Sequence, residues 1–300
     1  PDWIVAQGRP MMEERIIDPS FLTTKEVAEL LRVKERKVYD LAGAGEIPHR
    51  RITGKLLFPR AELMDWIEAG SVAVAVARPN VLTGSHDPLL DWAVRDSGSG
   101  LATLFNGSGE GLSCFAQGHA ALSGMHVPEA VDWNVETVTA QGLKDCVLIA
   151  WATRTRGLVL SKGTSITSFT ELKGKPVVRR QPGAGAATFF DGMLSKAGMR
   201  LTDMELVTGM AHTEYDAAAM VAVGQADAAP GIEAMARQFN LDFLPLTQER
   251  FDLVVDRRAY FTEGVQKLFH FASSHACKEK AEAMGGYDLS DLGAIRWVSP

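Results

Sequence analysis

Three turns of this sequence combine glycines with small or hydroxyl side chains, a combination that suits the binding of small anions. They are residues 84–88 (GSHDP), 107–111 (GSGEG) and 181–185 (QPGAG). Glycine lets backbone amides approach a ligand closely, and the free N–H groups at the start of a helix attract negative charge. The hydroxyl groups of Ser85 and Ser108 add hydrogen-bond donors. The three turns therefore predict an oxyanion site, provided that the fold brings them together.

The elements around these turns predict such a fold. Each turn follows a short apolar stretch typical of a strand and precedes a stretch typical of a helix, and from residue 80 onward this alternation predicts two α/β lobes. In open α/β sheets, ligands bind beyond the carboxyl ends of the strands. In the second lobe we expect strands at 175–179, 205–208, 227–229 and 242–246, and helices at 188–197, 215–223 and 232–239.

Histidines raise the alternative of an enzyme, because a Ser/His pair could act on a substrate in the cleft. The candidates are His86, His119, His126 and His212. The sequence has no G-x-S-x-G nucleophile elbow leading from a strand into a helix, no H-E-x-x-H, no Walker loop and no Rossmann fingerprint. We therefore predict no catalytic residues and keep only His86 as a ligand contact.

Four arginines near the predicted cleft allow a second kind of anion site. Arg154, Arg156, Arg179 and Arg180 could clamp a carboxylate or phosphate in bidentate fashion. They could equally form salt bridges on the surface or between the lobes. The sequence leaves both alternatives open.

Residues 21–69 carry the signals of a small winged helix. Thr23 and Glu26 form a capping-box sequence at the start of a first helix. A second amphipathic helix is expected over residues 34–42, ended by nearby glycines.

The wing and the last helix of this segment follow. Residues 50–58 predict a two-stranded ribbon that turns at Thr53 and Gly54. Pro59 is expected in the first turn of a third helix that ends near Ala69. The predicted order is helix, turn, helix, wing, helix.

The charge of this segment differs from that of the whole chain. Residues 32–60 hold eight Lys and Arg against three acidic residues, whereas the net charge of the chain is −6. Basic residues gathered on one short segment of an acidic chain fit the neutralisation of DNA phosphates. The alternative is a protein-interaction module whose charges are a solvated face.

Residues 21–69 resemble the excisionase-type helix-turn-helix, a relative of MerR-like winged helices. The resemblance implies double-stranded DNA as a partner, with the second helix in the major groove and the wing at the backbone or minor groove. The implied contacts are Lys34, Arg36, Lys37 and Tyr39 on the helix and Arg50, Arg51 and Lys55 on the wing.

Composition excludes several classes of protein. With 46% hydrophobic and 23% charged residues, the chain is composed like an ordinary globular protein. Its longest small-apolar run, residues 72–77, is too short for a bilayer, and residues 1–18 do not read as a secretory leader, so we expect a cytoplasmic protein. We expect no structural metal and no disulfide, because the three cysteines are widely spaced and lie in apolar or helical sequence: Cys114, Cys146 and Cys277.

Residues 80–297 resemble the periplasmic-binding-protein-like regulatory domain that occurs behind excisionase-type heads and beside molybdopterin-biosynthesis proteins. The motifs that carry the resemblance are GSHDP at 84–88, GSGEGL at 107–112, SGMHV at 123–127, RTRGLVL at 154–160, RRQPGAG at 179–185, VAVGQADAAPGI at 221–232 and ERFDLVV at 249–255.

This resemblance implies an α/β fold of the two-lobed type II class, related to molybdate-binding proteins, with the ligand in the cleft between the lobes. The chain would cross between lobes near residues 158–160 and return near 246–252. The predicted organisation is an extension (1–20), the winged helix-turn-helix (21–70), a linker (71–79) and the ligand-binding domain (80–300), with lobe I at 80–157 and 252–300 and lobe II at 158–251. The linker could also be a strand, or pair with a second subunit.

The implied ligand contacts come from both lobes. Gly109 departs from the bulkier residue expected in its turn, which bears on rigidity and ligand choice. The predicted contacts are Ser85, His86, Ser108 and Gly109 in lobe I and Ala184, Gly185, Ala187, Thr188, Tyr215 and Pro230 in lobe II.

The helix-turn-helix segment and the predicted ligand cleft together predict a one-component transcription regulator. We expect it to act as a homodimer, to be controlled by a small anion and to need no cofactor. Molybdate or tungstate is the first candidate, because a tetrahedral dianion suits a ring of neutral hydroxyl and amide donors. A small organic anion or a molybdopterin precursor is an alternative ligand. The alternative function is an enzyme or carrier of molybdenum-cofactor metabolism that binds a phosphate- or carboxylate-bearing ligand in the same cleft. A transport-type solute receptor does not fit the helix-turn-helix head.

Overall fold

The structure, a computed structural model, describes residues 20–70 and 77–300, with side chains at all of these positions except 68–70. The chain divides into two compact units, Pro1–Val76 and Ala77–Pro300. Of the extension expected at 1–20 only Ser20 is described, and of the linker expected at 71–79 only residues 77–79 are described. In the described ranges no helix is both long and apolar enough to cross a membrane.

The described part of the first unit, residues 20–70, is a three-stranded antiparallel sheet packed with three helices. Its strands run in the order β1-β3-β2. Val27, Val38, Phe58 and Leu63 form the centre of its apolar core and are fully buried. The elements are β1 (Phe21–Thr23), α1 (Thr24–Leu30), α2 (Glu35–Gly43), β2 (Arg50–Ile52), β3 (Lys55–Pro59) and α3 (Arg60–Gly70).

Local sequence explains how these elements begin and end. The Thr23 hydroxyl accepts from the Glu26 amide at 3.4 Å, and the Glu26 carboxylate accepts from the Thr23 amide at 2.7 Å, which is the expected capping box. Thr53 and Gly54 have φ angles of 49° and 80°, as a tight hairpin turn between two antiparallel strands requires. The wing ribbon is confirmed.

Two details of this unit differ from the prediction. The sequence did not reveal β1, whose Phe21 pairs with Pro59 at the end of β3. Pro59 therefore completes a strand, and α3 begins one residue later, at Arg60. Pro59 was expected in the first turn of the helix but is the last residue of β3. A proline is tolerated at both kinds of position.

The second unit is built on one curled sheet of ten strands, with the path β5-β4-β6-β11-β7-β10-β8-β9 and with β12 and β13 paired to β7. Its strands are β4 (Val81–Gly84), β5 (Ala102–Phe105), β6 (Leu122–Met125), β7 (Cys146–Leu160), β8 (Pro176–Val177), β9 (Glu205–Leu206), β10 (Ala228–Ile232), β11 (Asp242–Asp256), β12 (Tyr287–Asp288) and β13 (Ile295–Val298). We call the side with β4, β5 and β6 lobe I and the side with β8, β9 and β10 lobe II.

Helices cover this sheet, and short 3-10 turns occur at Phe169–Leu172 and Leu201–Asp203. The helices are α4 (Pro88–Asp96), α5 (Ser108–Ala116), α6 (Val135–Ala140), α7 (Gly185–Lys196), α8 (Glu214–Ala222), α9 (Glu233–Gln238), α10 (Arg257–Tyr260), α11 (Glu263–Ala272) and α12 (His275–Met284). The helices α4, α5 and α9 begin within a few residues of the carboxyl ends of β4, β5 and β10, as expected.

Two long antiparallel strands, β7 and β11, join the lobes. They pair from Cys146 opposite Asp256 to Leu160 opposite Asp242. One end of β11 pairs with β6 of lobe I, and the opposite end of β7 pairs with β10 of lobe II. Both strands therefore run from one lobe into the other, and their central residues lie between the lobes.

Several predicted boundaries in lobe II are wrong. The strand expected at 175–179 is only Pro176–Val177, and the one expected at 205–208 is only Glu205–Leu206. The helix expected to begin at residue 188 begins at Gly185. The strand expected to end at residue 246 continues to Asp256, and its polar part contains Glu249, which is buried and paired with arginines.

Candidate functional site

The site begins at the end of β4 and the start of α5 in lobe I. Ser85 follows β4 and Ser108 opens α5, and their hydroxyl oxygens lie 2.7 Å apart in a hydrogen bond. Both residues are buried, with 3% and 1% of their surface exposed. Ser108 Oγ also accepts from the backbone amide of His126, which follows β6, at 3.3 Å. The ends of β4, β5 and β6 thus lie next to the hydroxyl groups of Ser85 and Ser108.

Close backbone packing makes this meeting possible. Gly84 ends β4 with φ 101°, in the left-handed region that favours glycine. A Cβ at Gly84 would collide with the backbone of Gly124 on β6, and a Cβ at Gly111 on α5 would collide with Gly84. The glycines of the first two turns therefore let α5 lie directly on the strand ends.

The third turn reaches the site from lobe II. The amide of Gly109 donates to the carbonyl oxygen of Gly183 at 3.2 Å. Gly185, the first residue of α7, packs so closely on His126 that a Cβ there would collide with the His126 carbonyl oxygen. Ala184 is buried just before it. The structure therefore brings all three glycine-containing turns together, with the lobes in contact.

The remaining predicted contacts lie elsewhere. Thr188 is exposed, one turn into α7. Ala187 and Pro230 line a cavity of about 130 Å³ on lobe II. His86 and Tyr215 line a different cavity, of about 410 Å³. Of the ten predicted residues, the structure places five around the paired hydroxyls: Ser85, Ser108, Gly109, Ala184 and Gly185.

A buried ion network lies between the lobes, and its carboxylates were not among the predicted site residues. Glu249 on β11 stands opposite Arg154 on β7, and its carboxylate accepts from the Arg154 guanidinium at 2.5 Å. The same carboxylate accepts from Arg156 Nε and lies 3.1 Å from His126 Nδ1. Arg154, Arg156 and Glu249 are fully buried. The Glu249 carboxylate thus binds both Arg154 and Arg156, where β7 and β11 pass from one lobe to the other.

The network extends into both lobes. In lobe I, Arg154 contacts Asp87 at 2.8 Å, and Asp87 also caps α4 and accepts from the Tyr287 hydroxyl. In lobe II, the Glu214 carboxylate contacts Arg156 at 2.8 Å and Arg180 at 3.0 Å. Arg154, Arg156 and Arg180 are therefore held in buried salt bridges, which agrees with one of the two alternatives open from the sequence, whereas Arg179 is exposed.

Burial and the neighbouring charges shift the pKa values of these groups in opposite directions. Burial alone would raise the pKa of Glu249, but Arg154 and Arg156 hold that pKa well below its usual value. Burial would likewise raise the pKa of Glu214, and Arg156 and Arg180 lower it. Burial lowers the pKa of His126 more than the adjacent Glu249 raises it. The carboxylates are therefore ionised and the imidazole is neutral near pH 7.

Several buried donors near this network have no hydrogen-bond partner among the described residues. They include Arg156 Nη1, Arg180 Nε and Gln181 Nε2. Gln181 Nε2 lies beside Gly107, because a Cβ at Gly107 would come within 2.9 Å of it. Unpaired buried donors cost free energy, so an acceptor that reached them would be bound favourably.

The buried imidazoles predict how stability depends on pH. Burial lowers the folded-state pKa of both His126 and His86, so the unfolded chain binds protons more readily below about pH 6.5. We expect the free energy of unfolding to fall between about pH 6.5 and 5, by up to about 1.4 kcal/mol per pH unit for each histidine. Urea denaturation at several pH values across this range measures the free energy of unfolding.

The His126→Asn variant is the matched test, because the Asn amide can still donate to Glu249. We expect a shallower pH dependence for this variant, while His275→Asn, at an exposed position, leaves the slope unchanged. A slope that is the same in His126→Asn and in the unmodified chain would contradict the assignment.

The first unit presents a basic surface. Lys34, Arg36, Lys37 and Tyr39 are exposed at the start of α2. Arg51 and Lys55 on the wing line one groove of about 440 Å³ together with Tyr39. Arg50 instead forms an exposed ion pair with Glu62 on α3, at 2.7 Å. Six of the seven predicted DNA contacts therefore carry side chains that face solvent without an ion pair among the described residues.

The described residues hold no group of three or more His, Cys, Asp or Glu side chains arranged to bind a metal ion. Cys146 and Cys277 are buried free thiols and Cys114 is partly buried.

Two bacterial proteins share parts of this sequence. The uncharacterised protein YvgK of Bacillus subtilis is 25% identical over 306 residues, which cover 93% of this chain and 98% of that protein. An uncharacterised protein from the 5′ region of the ferredoxin 2Fe-2S gene of Clostridium pasteurianum is 40% identical over 79 residues, which cover 26% of this chain and 70% of that protein.

A solved structure shares the fold of the second unit. It is described as a phosphate ABC transporter substrate-binding protein from Clostridium perfringens with bound phosphate. It aligns with a TM-score of 0.51 at 10% identity, over 71% of this chain and 98% of that one. At this identity the likeness concerns the fold alone.

Two family descriptions match the sequence and agree with the division of the structure. Residues 21–71 match a helix-turn-helix domain. Residues 91–273, more than half of the chain, match the PBP superfamily domain. The chain is therefore a member of the PBP superfamily that carries a helix-turn-helix domain ahead of its PBP-like domain.

Proposed function

We propose that the protein is a one-component transcription regulator whose DNA binding is controlled by a small anion held between the two lobes. Molybdate or tungstate is the first candidate. The observation that carries the proposal is the hydrogen-bonded pair of Ser85, which follows β4, and Ser108, which begins α5; α7 of the other lobe packs next to this pair. Helix N-termini and hydroxyls favour an anion.

The charge balance of the surrounding ion network favours a ligand that is held by neutral donors. Three guanidinium groups face three carboxylates, so the network has no large excess of positive charge. The donors left over are hydroxyl, amide and single N–H groups, which suit a tetrahedral dianion better than an arginine clamp does. The paired groups are Arg154, Arg156 and Arg180 with Asp87, Glu214 and Glu249.

The site lies where a ligand can bias the position of the lobes. Its lobe I donors follow β4 and β5, and its lobe II donors belong to the start of α7. A ligand that contacts both sets binds the closed arrangement more tightly than an open one and shifts the population toward it. In a homodimer, this shift would change how two helix-turn-helix heads meet two half-sites.

A comparison of anions tests the ligand. Molybdate, tungstate, sulfate, phosphate and acetate are each added to the full chain, and the melting temperature and the heat of binding are measured. We expect molybdate and tungstate to raise the melting temperature, since a ligand that binds only the folded state stabilises it by mass action. A chain that responds to none of the four tetrahedral oxyanions does not contain the proposed site.

The DNA surface can be tested without knowledge of the operator, because phosphate contacts do not depend on sequence. We expect Arg36→Ala with Lys37→Ala to weaken binding to a random duplex and to reduce the slope of log K against log salt by about 2. Lys144→Ala, an exposed lysine of the second unit, serves as the control. An unchanged slope in the double variant would remove α2 from the DNA interface.

A further inference from the structure

A second cavity of the PBP-like domain is separate from the paired serines. It has a volume of about 410 Å³ and is bordered by α4 and α12 on one side and by α8 and α9 of lobe II on the other. This volume falls in the range of sites that enclose small organic molecules and greatly exceeds what one tetrahedral oxyanion fills. Its lining includes His86, Trp92, Tyr215, Met235, Lys280 and Met284.

His86 gives this cavity a buried polar atom. Its side chain is only 10% exposed, and its Nδ1 has no hydrogen-bond partner among the described residues. Phe105 holds the ring edge-on, with centroids 5.1 Å apart. Because a buried polar atom without a partner is costly, a ligand with a complementary polar group would gain from reaching it.

Flat aromatic and soft apolar groups form the walls. Trp92 on α4 packs against Phe271 at 5.3 Å between ring centroids, and Tyr215 on α8 packs against Phe239 at 4.9 Å. Each wall ring is thus held in place by a second ring behind it. Met235 and Met284 supply thioethers, which contact aromatic rings favourably.

One cation at the cavity is available to a ligand. Arg95 is paired with Asp91 at 2.6 Å. Lys280 makes no ion pair within the described part of the chain, and its ammonium lies 5.5 Å from the centre of the Trp92 ring. A positive charge beside an aromatic wall suits a ring that carries an acidic group.

We propose that this cavity is a second ligand site, which binds a planar aromatic carboxylate between the lobes. The ring lies among Trp92, Tyr215 and the two methionines, the carboxylate meets Lys280, and His86 Nδ1 provides a further hydrogen bond. Because residues of both lobes line it, the ligand stabilises the closed arrangement. The site does not depend on the nature of the anion at Ser85 and Ser108.

Titration calorimetry on the full chain tests this site, with 2-naphthoate as the probe. The uncharged analogue 2-naphthamide is the control ligand. We expect 2-naphthoate to bind and 2-naphthamide to bind about tenfold more weakly, because it lacks the charge that meets Lys280. Lys280→Gln should weaken 2-naphthoate about tenfold, and Trp92→Leu should weaken both probes about fivefold to tenfold.

Lys278→Gln is the matched control, because Lys278 lies on the same helix but does not line this cavity. Melting temperatures of all variants show whether each one is folded. Equal affinity for the two probes, unchanged binding in Lys280→Gln, or no heat with 2-naphthoate overturns the proposal. The molybdate response of Lys280→Gln should equal that of the unmodified chain, so failure of one site does not imply failure of the other.

Discussion

Replacing Glu249 by Gln should destabilise the PBP-like domain by about 3 to 5 kcal/mol. The substitution keeps the size of the side chain but removes the charge that both Arg154 and Arg156 face in a fully buried position. Two guanidinium groups would then lack their shared counter-charge, and the His126 ring would lose its carboxylate partner. The free energy of unfolding in urea measures the effect.

The control for this variant is an exposed ion pair in the same domain. Glu263 pairs with Lys267 at 2.7 Å, but its side chain is 82% exposed. Exposed ion pairs of this kind contribute little to stability, so Glu263→Gln should unfold almost like the unmodified chain. If Glu249→Gln were as stable as Glu263→Gln, the buried network would not hold the lobes together.

Replacing Ser108 by Ala should weaken the binding of molybdate by about tenfold to a hundredfold, as expected for a lost hydrogen bond to a charged ligand. Ser85→Ala should have a similar effect, because the two hydroxyls lie 2.7 Å apart and face the same point. Titration calorimetry at a temperature where each variant is folded gives the two dissociation constants.

Ser113→Ala is the matched control for Ser108→Ala. Ser113 belongs to the same helix, α5, but is exposed and lies more than one turn from the site. We expect its affinity for molybdate to be unchanged. Full affinity in both Ser85→Ala and Ser108→Ala would place the anion elsewhere in the domain.

Local signals made the helix-turn-helix unit predictable. The capping box at Thr23 and Glu26 and the left-handed pair Thr53 and Gly54 are properties of neighbouring residues, and the structure contains both. In the PBP-like domain, the turns after β4 and β5 were predictable for the same reason. Strand, glycine-rich turn and helix follow one another within a few residues, and the turn at Gly84 needs a conformation that glycine favours.

The ion network could not be predicted, because its partners are distant in sequence. Arg154 is 95 residues from Glu249 and 67 residues from Asp87. Hydrophobic periodicity predicted only the first part of β11, because the continuation through Glu249 and Arg250 is polar and its buried charge pairs are not visible in the local sequence. Charged residues inside a buried strand depend on tertiary pairing that no local pattern contains.

The helix start in lobe II shows a smaller error of the same kind. The sequence suggested that α7 begins at residue 188, but Ala184 is already extended as its N-cap and Gly185 is its first residue. Thr188 therefore lies one turn along the helix and faces solvent, away from the paired serines. Tyr215 is likewise half exposed, because α8 directs it to the second cavity. These residues lie in the predicted lobe but not beside the paired serines.

The most direct test of the proposed function is the affinity of the full chain for a duplex recovered by selection in vitro, measured by fluorescence anisotropy with and without saturating molybdate. We expect molybdate to change the dissociation constant at least about fivefold in the unmodified chain, in line with usual coupling free energies, and to leave Ser108→Ala unchanged. An identical dissociation constant with and without molybdate, in a chain shown by calorimetry to bind it, would contradict control of DNA binding by this site.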